Sequence, residues 1–269
     1  MNPDMARLVD EHRAWMLAGG LATRTIDARI GLLQRLAALF GHLHLVDADT
    51  IAGWFAAHPQ WSAETRAVYF GHLYGFYAWS VDTGRLDANP MAGLRRPKAP
   101  RGLPRPVTEA ELRSVLDRAE QPWRTYILLA AYAGLRACEI ARLQREDVDE
   151  REIRVRSGKG GKAAVLPCHP AIWSAVKDLP PGPIAWRTDG GGPADEHYVS
   201  TRTALYFRRQ LHMPGVGLHR FRHRFATALL RGGNNIRVVQ TLMRHASLNT
   251  TARYTAVDEA ERASAVAGL

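Results

Sequence analysis

Residues 89 to 106, NPMAGLRRPKAPRGLPRP, hold five prolines, two glycines and five Lys or Arg. Proline stops a helix and restrains the residue before it, and no apolar face recurs through the stretch. It therefore reads as an extended basic linker. It cuts the 269-residue chain into a first domain over 1–88 and a second over 107–269, each long enough to bury its own core.

The first domain reads as a helical bundle. In TRTIDARIGLLQRLAALFG, the residues Ile26, Ile30, Leu33, Leu36 and Phe40 recur at helical steps, with Thr23 as the expected N-cap and Gly41 as the stop. A shorter helix is expected in ADTIAGWFAAH, and a longer one in SAETRAVYFGHLYGFYAWSVDTG behind Ser62. The rings of the longer helix (Tyr69, Phe70, Tyr74, Phe76, Tyr77, Trp79) read mostly as bundle core. His42 and His44 are too few for a metal site and read as loop residues.

The second domain mixes classes. Thr108 with Glu111 is a capping-box signature, and QPWRTYILLAAYAGL is apolar nearly all round, the pattern of a central buried helix ending at Gly134. The period then changes: Ile153 and Val155, then Ala164 and Leu166, flank a glycine-lysine turn, which predicts a β-hairpin. SGKGGK joins two strands and so is not a phosphate-binding P-loop. Turns over 180–193 precede a helical remainder. The fold class expected is mainly α with a small β-hairpin: an N-terminal helical bundle followed by an α+β domain.

Charge narrows the partner. The chain carries 36 Lys+Arg against 26 Asp+Glu, a formal charge of +10, which suits nucleic acid. No apolar run approaches a membrane span and the start, MNPDMARLVDEHR, lacks signal-peptide character, so a cytoplasmic protein is expected. Cys138 and Cys168 read as reduced packing thiols.

The cations cluster in GLHRFRHRFATALLRGG, residues 217–233. His219 and His223 have the one-turn spacing of two metal ligands, but arginines surround them and no acidic residue is present to complete a coordination shell. Arg222 shares the helix face of His219, and a face of that kind suits an anion. Other candidates are Arg136, just after Gly134, Lys159 and Lys162 in the hairpin turn, His245 and Tyr254.

Together and in this order, these residues resemble the tyrosine recombinases, also called the phage integrase family. The GLRxxE element stands at Gly134, Leu135, Arg136 and Glu139, and the turn lysine at Lys159. HxxRHxFAT stands at His219, Arg222, His223, Phe225, Ala226 and Thr227, and the closing His and Tyr at His245 and Tyr254. Two positions depart from the pattern: Arg244 stands where the family usually has Gly before the last His, and Phe221 where Leu is expected.

The resemblance implies a catalytic set of Arg136, Lys159, His219, Arg222, His245 and the nucleophile Tyr254, with Glu139 orienting the cluster. It implies a SAM-like core-binding domain over 1–88 and DNA contacts from Arg95, Arg96, Lys98, Arg101, Arg105 and Lys162. The activity expected is site-specific cleavage and rejoining of double-stranded DNA through a 3′-phosphotyrosyl link, with no metal, ATP or other cofactor. The partners expected are core-type attachment sites, a homotetramer on two paired sites and a directionality factor, with no membrane, at the bacterial nucleoid. The closing DEAERASAVAGL is a short amphipathic stretch whose use, by analogy, is docking onto a neighbouring protomer. The plan is similar to a minimal phage integrase without an arm-binding domain, integrating or excising a mobile element. Chromosome-dimer resolution, a catalytically silent regulator and a type IB topoisomerase remain as alternatives.

Overall fold

The computed structural model describes residues 2–99, 105–156 and 163–244. Lys159, Lys162, Arg101, His245, Tyr254 and the closing DEAERASAVAGL lie outside the described residues. The chain divides into two compact units, Met1–Gly102 and Leu103–Leu269.

The first unit is built from α1 (Pro3–Ala18), α2 (Thr23–Phe40), α3 (Ala48–Ala56) and α4 (Ala63–Asp82). Local chemistry sets the helix starts: Asn2, Asp47 and Ser62 each accept a backbone N–H of the first turn of α1, α3 and α4. The Thr23 cap expected from sequence is corrected. The N-cap is Ala22, which makes no side-chain capping bond, and Thr23 is the first helical residue. Helices α1 and α4 both pack on α2. Met5, Val9, Ile26, Ile30, Leu33, Leu36, Phe70, Leu73, Phe76, Tyr77 and Trp79 form one core. Tyr69 is only partly buried and Tyr74 is exposed, so the ring-rich face of α4 is core along one side only. The described part of the basic segment, residues 89–99 and 105–106, adopts neither helix nor strand, and Arg95, Arg96, Lys98 and Arg105 are exposed.

The second unit opens with α5 (Glu109–Arg118), where Thr108 and Glu111 form the reciprocal capping box. The buried α6 (Trp123–Tyr132) and the short α7 (Ala137–Arg142) follow. Strands β1 (Glu152–Val155) and β2 (Ala164–Pro167) pair antiparallel, Ile153 opposite Leu166, so that both buried side chains share one face. Then come α8 (Pro170–Val176), α9 (Glu196–Arg209), α10 (Leu218–Arg231) and α11 (Ile236–Met243). Helix α6 lies at the centre, with α8 and α10 packed on it, and α7 packs on α9. No helix among the described residues is long and apolar enough to cross a membrane.

His12 of α1 is fully buried against the Trp79 ring at 4.6 Å, and neither ring nitrogen has a hydrogen-bond partner among the described residues. Burial, reinforced by the Arg29 charge, lowers its pKa from 6.5 to about 4. A folded-state pKa below the unfolded one means the contribution to stability is complete above pH 6.5 and is lost as pH falls towards 4. Thermal unfolding of the wild-type chain is expected to show a loss of stability across that window that His12→Leu does not share.

Candidate active site

Four of the candidate residues are brought together by the N-terminal ends of two helices. Arg136 is the N-cap of α7 and Glu139 sits in that helix's first turn. His219 and Arg222 stand on the first two turns of α10. Arg136, His219 and Arg222 line one cavity of about 300 Å³ with Cys138, Glu196 and Ser200. Burial pushes the Cys138 thiol up, so it lines the cavity as a neutral group.

The arginines of α10 have separate uses. Arg220 donates through Nε to the carbonyl of Arg105 at 2.7 Å. Arg224 pairs with Glu109 and lies over the Tyr132 ring at 5.2 Å. Only Arg222 is buried: it is 2% exposed and donates to the carbonyls of Gly134 and Met243. The His219 and His223 rings meet edge to face at 4.1 Å, and among the described residues no group of three or more His, Cys, Asp or Glu could hold a metal.

Glu139 is the centre of the cluster, with a side chain that is 0% exposed. Its Oε2 accepts the backbone N–H of Arg136 at 2.8 Å, and its Oε1 accepts Nη1 of Arg136 at 2.9 Å. Arg222 Nη1 stands 3.9 Å from Oε2. A third guanidinium, which sequence reading did not place in the cluster, belongs to Arg244. Its Nη2 donates to Oε2 at 2.7 Å and its Nε to Oε1 at 3.3 Å. Burial alone would raise the Glu139 carboxyl, but hydrogen bonds and charge from Arg244 and Arg136 together bring it below its ordinary value. The carboxylate is therefore ionised, and the three arginines around it carry a net positive charge.

Backbone geometry explains the two departures and one glycine. Arg244 caps α11 in the left-handed region, φ 52 and ψ 45, the conformation glycine adopts without penalty and which costs another residue about 1–2 kcal/mol. The usual glycine thus suits the backbone, and Arg244 offsets the strain through its side-chain contacts. Gly134 has φ +60, and a Cβ there would meet Cδ1 of Phe225 at 2.6 Å. Both constraints exclude a side chain, and they leave the Gly134 carbonyl open to Arg222 and Arg244. Phe221 is fully buried, stacked at 5.2 Å on Phe207, so the larger ring is absorbed by the core.

The buried charge makes Glu139 a stability determinant. Glu139→Gln leaves the guanidinium groups without their counter-ion and is expected to cost about 3–5 kcal/mol at pH 7. Because the folded-state pKa is depressed, the wild-type advantage is present above the unfolded carboxyl pKa. It is lost as pH falls through the lower folded value. Chemical denaturation of both proteins at pH 7 and at successively lower pH checks the size and the direction.

The phage integrase family model matches residues 197–261, which include α10 and α11. The tyrosine recombinase XerC of Rhodospirillum centenum is 32% identical, over 95% of this chain and 84% of the relative. The tyrosine recombinase XerC of Xylella fastidiosa strain 9a5c is 31% identical, over 94% of this chain and 93% of the relative. The Tn1549 transposon integrase, solved in complex with a circular intermediate DNA, shares the fold: TM-score 0.73 at 16% identity, over 98% of this chain and 99% of that one. With 31–32% identity to the two XerC recombinases along nearly the whole chain, and with Arg136, His219 and Arg222 lining one cavity, the chain belongs to the tyrosine recombinase, or phage integrase, family.

Proposed function

We propose that the chain is a site-specific recombinase that cuts and rejoins double-stranded DNA through a 3′-phosphotyrosyl link to Tyr254. The observation that carries this reading is the convergence of Arg136, His219 and Arg222 on one cavity, braced by a buried, ionised Glu139. A cavity walled by two guanidinium groups and an imidazole suits a phosphodiester, whose non-bridging oxygens gain negative charge as a fifth oxygen approaches phosphorus.

In that reaction Tyr254 gives its phenolic proton to water and attacks phosphorus as the phenolate, and the bond to the 5′ oxygen breaks. Lys159 gives the leaving oxygen its proton. Arg136 and Arg222 hold the non-bridging oxygens, since guanidinium keeps its charge at every working pH and donates parallel bonds. His219 donates a further bond, and His245 supports the same phosphate. Rejoining runs in reverse: a 5′ hydroxyl attacks the phosphotyrosine and releases Tyr254. One phosphoester is exchanged for another, so no energy source is consumed.

The first unit serves as the core-binding domain, with Arg95, Arg96, Lys98, Arg101 and Arg105 following the phosphate backbone and Lys162 joining them from the hairpin turn. The exposure of Arg95, Arg96, Lys98 and Arg105 supports this use. Exchange of four strands requires a homotetramer on two paired sites, and a directionality factor would set integration against excision. The target we favour is the attachment site of a mobile element in a bacterial chromosome. The full-length likeness to two XerC recombinases favours a second reading, resolution of chromosome dimers by the same chemistry.

Nicked suicide duplexes, covering the DNA that flanks the gene and a chromosomal dimer-resolution site, test both targets on a denaturing gel without added metal. Wild type is expected to give a covalent protein–DNA band and Tyr254→Phe none, with binding by Tyr254→Phe nearly unchanged. Which duplex yields the band decides between the targets, and a band from Tyr254→Phe removes Tyr254 from the mechanism. Arg136→Ala is expected to slow cleavage by about 10²–10³, the usual effect of losing one electrostatic donor. Neutralising Arg95, Arg96 and Lys98 together is expected to flatten the salt dependence of binding, by up to about 0.9 in log–log slope per lost phosphate contact.

A further inference from the structure

The Arg244 guanidinium is almost fully committed to contacts inside the cluster. It is 10% exposed and bridges both oxygens of Glu139, at 2.7 and 3.3 Å. Nη2 also donates to the Gly134 carbonyl at 3.1 Å and Nη1 to the Leu242 carbonyl at 2.9 Å. The Gly134 carbonyl is the one that also receives Arg222, and the Arg244 carbonyl lies 3.4 Å from Nη2 of Arg136. One side chain therefore touches the partners of both arginines that face the cavity.

The charges show what that position does. Without Arg244, a fully buried carboxylate would be shared by Arg136 and Arg222 alone, and one negative charge would offset half of their two positive charges. With both carboxylate oxygens engaged by Arg244, that negative charge has a third claimant, and the cluster keeps a net charge one unit more positive. Beside a fully buried carboxylate such a difference acts more strongly on a dianionic transition state held in the cavity than on a duplex held by many distant phosphate contacts.

Resting on the recombinase reading above, we infer that Arg244 is a positioning residue of the cleavage site, one that holds Glu139 and the Gly134 carbonyl so that Arg136 and Arg222 keep their charge and aim for the phosphate. Its backbone is left-handed, where glycine is the residue without strain. The side chain is thus retained against a local backbone preference, which separates its role from that of a helix stop.

The test compares wild type, Arg244→Gly, Arg244→Lys and Tyr254→Phe in single-turnover cleavage of a nicked suicide duplex at saturating protein. DNA affinity and thermal unfolding are measured on the same preparations. Arg244→Gly removes the side chain while relieving the backbone. It is expected to lower the unfolding temperature, with relief of the backbone offsetting part of the lost ion pair, to bind DNA within about threefold of wild type at a temperature where it is folded, and to cleave at least about tenfold more slowly. Arg244→Lys returns one charge without the two-pronged grip and should cleave at an intermediate rate. Cleavage by Arg244→Gly at the wild-type rate overturns the inference. So does a rate loss matched by an equal loss of stability and not restored at all by Arg244→Lys, the signature of a purely structural residue. If Arg244→Gly does not fold, Arg244→Lys decides alone: wild-type cleavage overturns the inference, and slowed cleavage at wild-type stability supports it. Failure of the wild-type chain to form any covalent product that Tyr254→Phe lacks overturns the recombinase reading itself, and the inference with it.

Discussion

One buried carboxylate surrounded by three guanidinium groups is the interaction on which the second unit's candidate site depends. A carboxylate removed from water carries a desolvation cost of several kcal/mol, and only well-placed donors offset it. Glu139 receives a backbone N–H and two guanidinium groups as hydrogen-bond donors, with the third guanidinium at ion-pair distance. The same arrangement serves the arginines. Arg222, 2% exposed, would carry a large desolvation cost in that position without a counter-ion and the two carbonyls that accept its protons. Stability and function therefore draw on the same atoms: what permits the buried cations to exist also fixes them at the edge of a cavity that fits an anion.

The carbonyls are supplied by places where the backbone departs from regular helix. Gly134 turns the chain through positive φ between α6 and α7, and Met243 and Arg244 close α11 through a left-handed cap. Helix C-termini offer carbonyls that no longer have an intrahelical partner, and arginine is well matched to them because its donors form a planar fork. The cavity thus assembles from the leftovers of helix termination, with the N-terminal turns of α7 and α10 contributing the side chains that line it.

Much of the fold was legible because its signals are local. The Thr108–Glu111 box, the cap at Ser62, the buried run of α6 and the two-residue alternation of β1 and β2 all act within a few residues. Thr23 misled because a cap and a first helical residue differ by one position, and Ala22 fills the cap with no side-chain bond. Arg136, Glu139, His219 and Arg222 were legible as a family pattern, and the geometry gives each a physical partner. Arg244 was legible only as a departure. Its use depends on a contact across 105 residues of sequence and on a backbone conformation that residue type does not announce. An arginine where the family pattern has glycine, next to a histidine of the pattern, was the one signal the sequence offered.

The same separation in sequence bears on how the protein is made. A chain synthesised from its N-terminus presents Arg136 and Glu139 long before Arg222, and Arg244 follows Glu139 by 105 residues. Until α10 and α11 leave the ribosome, Glu139 has only its neighbour Arg136 to offset its charge, and the cavity lacks its α10 wall. Assembly of the candidate site is thus withheld until both helices have been made, and a half-folded chain that lacks them would have no cavity suited to an anion.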